Sequence, residues 1–312
     1  MNTNRKAILL ASTLAVACGA SGATMEPALD ASEASDAVDA SSDAAPAIDV
    51  YEAQTAEALG SLIVDSSAPE EDSAPSLVYA HSSDTLYSLD PSTCAVTVVG
   101  PFRGCQEVID LAIDRAGNTY VTSFFGFYRL DPSTAICTLV AEGGSYPNSL
   151  SFVPRGTLDL DAEALVGYSG STYVRIDPAT GAITAVGSLD GGYISSGDIV
   201  SVIDGGTFLT AKGGPDGGCD DCLVQVDPAT GGLVQSYGNL GHRDVFGLAF
   251  WAGTAYGFDD AGEVFAIDWS DAGLVTTNIP VADAPAGLSF WGAGSTTSAP
   301  ASAPDGAGIP IR

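Results

Sequence analysis

LYSLDPSTCAVTVVG (residues 86–100) recurs as FYRLDPSTAICTLVA (127–141), YVRIDPATGAITAVG (173–187) and LVQVDPATGGLVQSYG (223–238), and decays into VFAIDWSDAGLVTTN (264–278). The aspartates fall at positions 90, 131, 177, 227 and 268, a period of 41 to 50 residues, which is the size of one four-stranded propeller blade. Each phrase explains itself physically. Alternating apolar positions before the Asp make a strand, and the Asp carboxylate accepts backbone N–H groups in the turn. Pro presets φ, and Gly supplies positive φ before the second strand. Every copy is therefore a β-hairpin. Two further strand-like runs precede each hairpin, for example 109–114 and 119–123 around the turn Asp114-Arg115-Ala116-Gly117-Asn118. The first unit has only three strands, while Gly287 to Gly292 (GLSFWG) is a lone copy of a first strand. Joined, they predict an all-β, five-bladed β-propeller over 77–293, closed by pairing of the C-terminal strand with the N-terminal blade so that no sheet edge is left open. A β-sandwich or an open repeat array is the alternative.

The phrase LY-x-hydrophobic-DPxTG resembles the repeat of bacterial propellers of the quinoprotein-like and YVTN-like group, many of unknown function, over most of 77–293. The resemblance implies architecture and not chemistry. No set of residues suggests pyrroloquinoline quinone binding, so no cofactor is expected.

Outside the repeats the chain changes character. Residues 1–23 read as an export signal, with Arg5 and Lys6 ahead of an apolar run from Ala7 to Ala17 that is too short to span a bilayer. Ala15-Val16-Ala17-Cys18-Gly19 resembles the lipobox of bacterial lipoproteins, which implies lipid attachment at Cys18; plain secretion after Ala17 or Ala23 is the alternative. Residues 24–76 carry 13 acidic side chains and no Lys or Arg, with Tyr51 the only aromatic, and are expected to be a disordered acidic linker. Residues 294–312 are expected to be a disordered tail. With a formal charge of -29, the chain is unsuited to nucleic acid or to anionic lipid, and membrane contact is expected only through the anchor.

In an exported protein the cysteines should pair. Cys219 and Cys222 form a CxxC in a Gly-rich loop between strands, read as a loop staple rather than a redox or zinc motif. Cys94 and Cys105 stand at opposite ends of a strand, roughly 20 Å apart at ~3.3 Å per residue, beyond disulfide reach. The reading therefore takes Cys105 with Cys137, with that pairing left open.

Ligands of propellers are expected where loops lead from one blade's outer strand to the next blade's inner strand. Those loops hold Phe102 and Arg103, Tyr146, Tyr193, His242 with Arg243, and Asp283-Ala284-Pro285. Aromatics with Arg and His can stack on a sugar or clamp a carboxylate. The alternative is that Tyr146 and Tyr193 pack between blades and Arg243 pairs with Asp244. Phe124-Phe125 and the loop 213–221 should lie on the same side. Asp110, Asp198 and Asp244 near inner-strand starts raise a carboxylate or metal site, yet 26 acidic residues lie from position 77 onward, so no catalytic or metal residue is assigned. The expected function is a surface-anchored lipoprotein of the cell envelope, outer membrane or cell surface, whose propeller binds a glycan, peptide or envelope protein or serves as a scaffold. An extracytoplasmic hydrolase or lactonase-like enzyme is the alternative.

Overall fold

The computed structural model describes residues 78–302 except 92, 94, 271–272 and 282–284. The expected export signal with Cys18, the expected acidic linker, Cys94, Asp283 with Ala284 and residues 303–312 lie outside the described residues. Blade 1 begins with β1 (Val78–His81), β2 (Thr85–Asp90) and β3 (Ala95–Pro101). Blade 2 is β4 (Val108–Ile113), β5 (Thr119–Ser123), β6 (Gly126–Asp131) and β7 (Ile136–Glu142). Blade 3 is β8 (Leu150–Val153), β9 (Ala164–Ser169), β10 (Thr172–Ile176) and β11 (Ile183–Ser188). Blade 4 is β12 (Tyr193–Val202), β13 (Gly206–Gly213), β14 (Cys219–Val226) and β15 (Leu233–Asn239). Blade 5 is β16 (Val245–Trp251), β17 (Thr254–Asp259), β18 (Val264–Ser270) and β19 (Gly273–Ile279), and β20 (Gly292–Ser295) completes blade 1 in the order β20-β1-β2-β3. The protein is a five-bladed β-propeller of antiparallel sheets with β20, β4, β8, β12 and β16 around the hub.

The repeated turn behaves as its residues dictate. Asp177 Oδ1 accepts the N–H of Ala179 at 2.8 Å, and Asp227 Oδ1 accepts that of Ala229 at 2.9 Å. Gly181 and Gly231 each take φ 71°, donating their N–H groups to Asp177 and Asp227 carbonyls at 2.7 Å. Both glycines are also close contacts: a Cβ at Gly231 would stand 2.4 Å from the Tyr173 ring, and one at Gly181 2.6 Å from the Tyr146 hydroxyl. The turn of one blade is thus seated on tyrosines. The decayed fifth repeat differs in register as well as sequence, because the bulge that interrupts the third and fourth strands of blades 1 to 4 is missing between β18 and β19. Apolar clusters fill the spaces between neighbouring blades, one joining Tyr168 and Tyr173 to Ile199 and Leu209, another joining Phe250 and Phe265 to Val200 and Phe208. Each such side chain stabilises the fold by roughly 1.5–3 kcal/mol.

Two expectations about the C-terminus need correction. The closing strand is Gly292–Ser295 (GAGS), paired with β1 from His81↔Gly292 to Val78↔Ser295, and not 287–292. Crowding at the hub is the reason. A Cβ at Gly292 would lie 2.4 Å from His81 Nε2 and 2.6 Å from Asp110 Oδ1, and one at Gly294 2.9 Å from Leu111 Cδ1. Phe290, from the apolar run taken as the strand, instead turns into the core against Tyr87 and Phe258. The expected tail from 294 also fails as far as 302. Thr296 bridges to Ile113, the Ile203 N–H donates to the Thr297 carbonyl at 2.9 Å, the Thr297 hydroxyl bonds the Glu163 carboxylate, and Gly253 abuts Ala301. The segment touches blades 2, 3, 4 and 5 in turn at the end of the hub where first strands turn into second strands. Its Ser, Thr and Ala residues are small enough to lie there, and its backbone and hydroxyls satisfy polar groups that would otherwise be stranded.

Candidate functional site

Antiparallel order places the turns between second and third strands on the same face as the connections between blades. The hub just below that face is built from equivalent positions, the residues preceding Leu111, Leu150, Ile199, Leu248 and Ala293: Asp110, Ser149, Asp198, Gly247 and Gly292. Both carboxyls are fully buried. Asp110 Oδ1 accepts the Leu111 N–H at 2.8 Å. Asp198 accepts the N–H of Ile199 at 2.6 Å and, from blade 5, that of Leu248 at 2.7 Å. The Leu150 N–H of the intervening blade acts on both acids to hold their pKa values down against burial. Burial lifts both carboxyls well above the usual carboxylate range, and the neighbouring Asp198 charge raises Asp110 further. Asp110 Oδ2 is buried without an N–H or O–H donor on it. The Asp198 charge beside it therefore works against ionising Asp110, in the same direction as its burial. Asp198 ties blade 4 to blade 5 through inner-edge N–H groups, with Asp110 of blade 2 beside it.

Beside it His81 is fully buried, and its Nδ1 lies 2.8 Å from the Ser82 carbonyl, which fixes Nδ1–H as donor and leaves Nε2 without a partner. Burial pushes its pKa down to about 4, so the ring is neutral.

The residues expected on a ligand rim are engaged elsewhere. Phe102 meets His81 edge-on at 5.9 Å, and Arg103 lies along the outer strand of blade 2, its guanidinium donating to the Thr134 carbonyl at 3.2 Å. Tyr146 stacks on Phe127 and donates to the Gly181 carbonyl at 3.0 Å; Tyr193 is buried between blades 3 and 4, 3.1 Å from Ser236 Oγ. Arg243 is exposed and reaches Asp220 at 3.8 Å rather than Asp244. Cys105 with Cys137 and Cys219 with Cys222 form disulfides, at Cα separations of 5.6 and 5.8 Å.

His242 alone of that group enters a cluster. Its Nδ1 lies 3.3 Å from Asp259 Oδ2 and 3.4 Å from Glu263 Oε2, and its ring is stacked on Phe265 at 3.6 Å. Burial raises the Asp259 carboxyl, while the Glu263 N–H and His242 pull it back down. Neither acid stands out by spacing, although the strand-end position of Asp259 is held by Ser82, Ser123, Ser169 and Ala211 in the other blades, a departure that could have drawn attention to it. On the same face, Phe124 and Phe125 in the β5–β6 turn are 61% and 54% exposed, beside a shallow cleft lined by Gly104, Cys105, Gln106 and Tyr128.

No protein-family model matches the chain, and no curated protein matches it either. Among solved structures it is similar to a chain in the crystal structure of a nidogen/laminin complex, with 13% identity over 72% of this chain and 99% of that one and a TM-score of 0.44. It is also similar to a protein of unknown function from Bacteroides caccae, with 13% identity over 70% of this chain and 77% of that one and a TM-score of 0.37.

Proposed function

We propose that the chain is a lipid-anchored envelope protein, held at Cys18 on its acidic spacer, whose propeller captures a glycan or peptide of the cell surface through the Phe124–Phe125 turn. The observation that carries the binding reading is the pair of adjacent phenylalanines, each more than half exposed, on a turn of the face that gathers the inter-blade loops. Large aromatics left in water are the usual anchors of recognition surfaces. Here the neighbouring cleft gives a ligand a second wall. The anchor rests on the resemblance of residues 15–19 to a lipobox, and the DPxTG repeats suggest kinship with the quinoprotein-like and YVTN-like propellers. A hydrolase or lactonase built on Asp110 and Asp198 has weaker support, since both acids are fully enclosed and three of their four oxygens accept backbone N–H groups.

The test is a glycan and peptide array probed with the wild type and with Phe124→Ala/Phe125→Ala, alongside fatty-acid labelling of cells expressing the wild type or Cys18→Ala. A signal lost at least ~10-fold in the double variant, with label lost in Cys18→Ala, supports the reading. Equal array signals from wild type and variant, or no signal at all, overturn the binding site, and label retained in Cys18→Ala overturns the anchor.

A further inference from the structure

We propose that His242 Nδ1, Asp259 Oδ2 and Glu263 Oε2 bind a divalent transition-metal ion of the zinc class. The three donor atoms all lie within 4.8 Å of one another. The two nitrogen–oxygen separations, 3.3 and 3.4 Å, are long for a charge-assisted hydrogen bond, which closes to about 2.7–2.9 Å. They are, however, the edge lengths of a tetrahedron whose corners stand about 2.0–2.1 Å from its centre, the distance at which zinc holds imidazole nitrogen and carboxylate oxygen. The third edge, between the two carboxylate oxygens, lies within 4.8 Å, and an ion would draw those oxygens to its own coordination distance.

The fold holds each donor ready. Asp259 ends β17, and its other oxygen, Oδ1, accepts the Glu263 N–H at 2.9 Å, which directs Oδ2 to His242. The Asp259 N–H donates to the Glu263 carbonyl, and the Gly262 N–H to the Asp259 carbonyl at 3.0 Å, so one tight turn fixes both acids relative to each other. His242 arrives from the loop that enters blade 5, and its stack on Phe265 fixes the imidazole plane. The Asp259 side chain is only 3% exposed and the His242 side chain 10%, so both donors are held inside the protein rather than in bulk water. Glu263 is half exposed and provides the entry path from solvent.

A second observation comes from the repeat. The position of Glu263 is held by Thr85, Gly126, Thr172 and Cys222 in the other blades, just as that of Asp259 is held by Ser or Ala, so both acids break the pattern in one blade. One nitrogen and two carboxylate oxygens suit zinc and its first-row neighbours better than calcium, which takes six to eight oxygens. Three protein ligands leave the fourth corner to water or to an oxygen of a bound molecule.

The test is a calorimetric titration of the EDTA-stripped full chain with Zn²⁺, at a salt concentration high enough to screen diffuse attraction to the acidic residues. The variants are His242→Phe, which keeps the stack on Phe265, and Glu263→Gln; circular dichroism checks that both are folded. One equivalent bound by the wild type, reversed by EDTA and weakened at least ~10-fold in both variants, is the expected result. A Co²⁺-loaded sample should show a tetrahedral visible spectrum that both variants lack. Zinc binding unchanged in the two folded variants, no zinc bound by the wild type, or preference for Ca²⁺ over Zn²⁺ overturns the proposal.

Discussion

The hub and the rim of blade 5 each bury a carboxylate beside a second acid and a histidine, and they solve the resulting charge problem differently. At the hub, Asp110 and Asp198 accept main-chain N–H groups from three blades and burial lifts both carboxyls above the usual range, while His81 stays neutral. At the rim, Asp259 has one oxygen on a backbone N–H and turns the other toward an imidazole and a half-exposed glutamate. The difference lies in where the lone pairs point. Acceptors filled by the main chain fasten blades to one another, whereas acceptors converging from side chains leave a space that an ion can enter.

The largest effect should come from breaking the hub. Asp198→Ala leaves the Ile199 and Leu248 N–H groups buried without acceptors, at about 1–3 kcal/mol each, so a loss of about 3–5 kcal/mol is expected in urea unfolding at neutral pH. Asp198→Asn keeps one acceptor oxygen but turns its NH2 toward the other N–H, so it should lose less than Asp198→Ala without restoring the wild-type value. A loss under about 1 kcal/mol in Asp198→Ala would mean that the acids are not fasteners, and the contrast with the rim would collapse.

Acid should expose an opposition inside the hub itself. His81 has a folded pKa of about 4 against an ordinary 6.5, so the unfolded chain takes the proton first. Its contribution is present above pH 6.5 and is lost as pH falls toward 4, about 2–3 kcal/mol across that window. The Asp110–Asp198 pair has the opposite sign: raised in the folded state, it stabilises below the ordinary carboxylate range and loses that contribution as pH rises. His81→Gln removes the first effect and keeps the second. Its stability should therefore hold or rise from pH 6.5 to 4.5 relative to the wild type, measured by denaturant melts at each pH; parallel curves would show that His81 does not stay neutral in the fold.

What could be read from the sequence follows the same divide. The DPxTG turns announced the hairpins because each residue has a local job, Asp177 as acceptor and Gly181 at positive φ, and a local job leaves a local signature. The closing strand was misplaced because GAGS has no β-pattern; its residues are selected by crowding against His81, Asp110 and Leu111, which only the closed ring brings near. Asp110 and Asp198 were visible as acids at inner-strand starts, but their role depends on N–H groups offered by neighbouring blades. The rim cluster was half legible: His242 stood in an inter-blade loop, while Asp259 and Glu263 belong to the least regular repeat and meet it only after β16 and β17 pair.

The smallest expected effect is the sharpest test of the contrast. Without metal, Glu263→Gln should change stability by no more than about 0.5 kcal/mol, because its side chain is 51% exposed and its N–H contact with Asp259 comes from the main chain, which the substitution leaves intact. Removing a negative charge beside the buried Asp259 even relieves some repulsion, since Glu263 is among the charges that push the Asp259 carboxyl upward. A carboxylate fastening the fold cannot be replaced so freely. Thermal melts of the EDTA-treated wild type and variant, run side by side, give the answer: near-coincident curves place Glu263 among groups held for a ligand, while a loss above about 1.5 kcal/mol would make the rim a second fastening point built on the same plan as the hub.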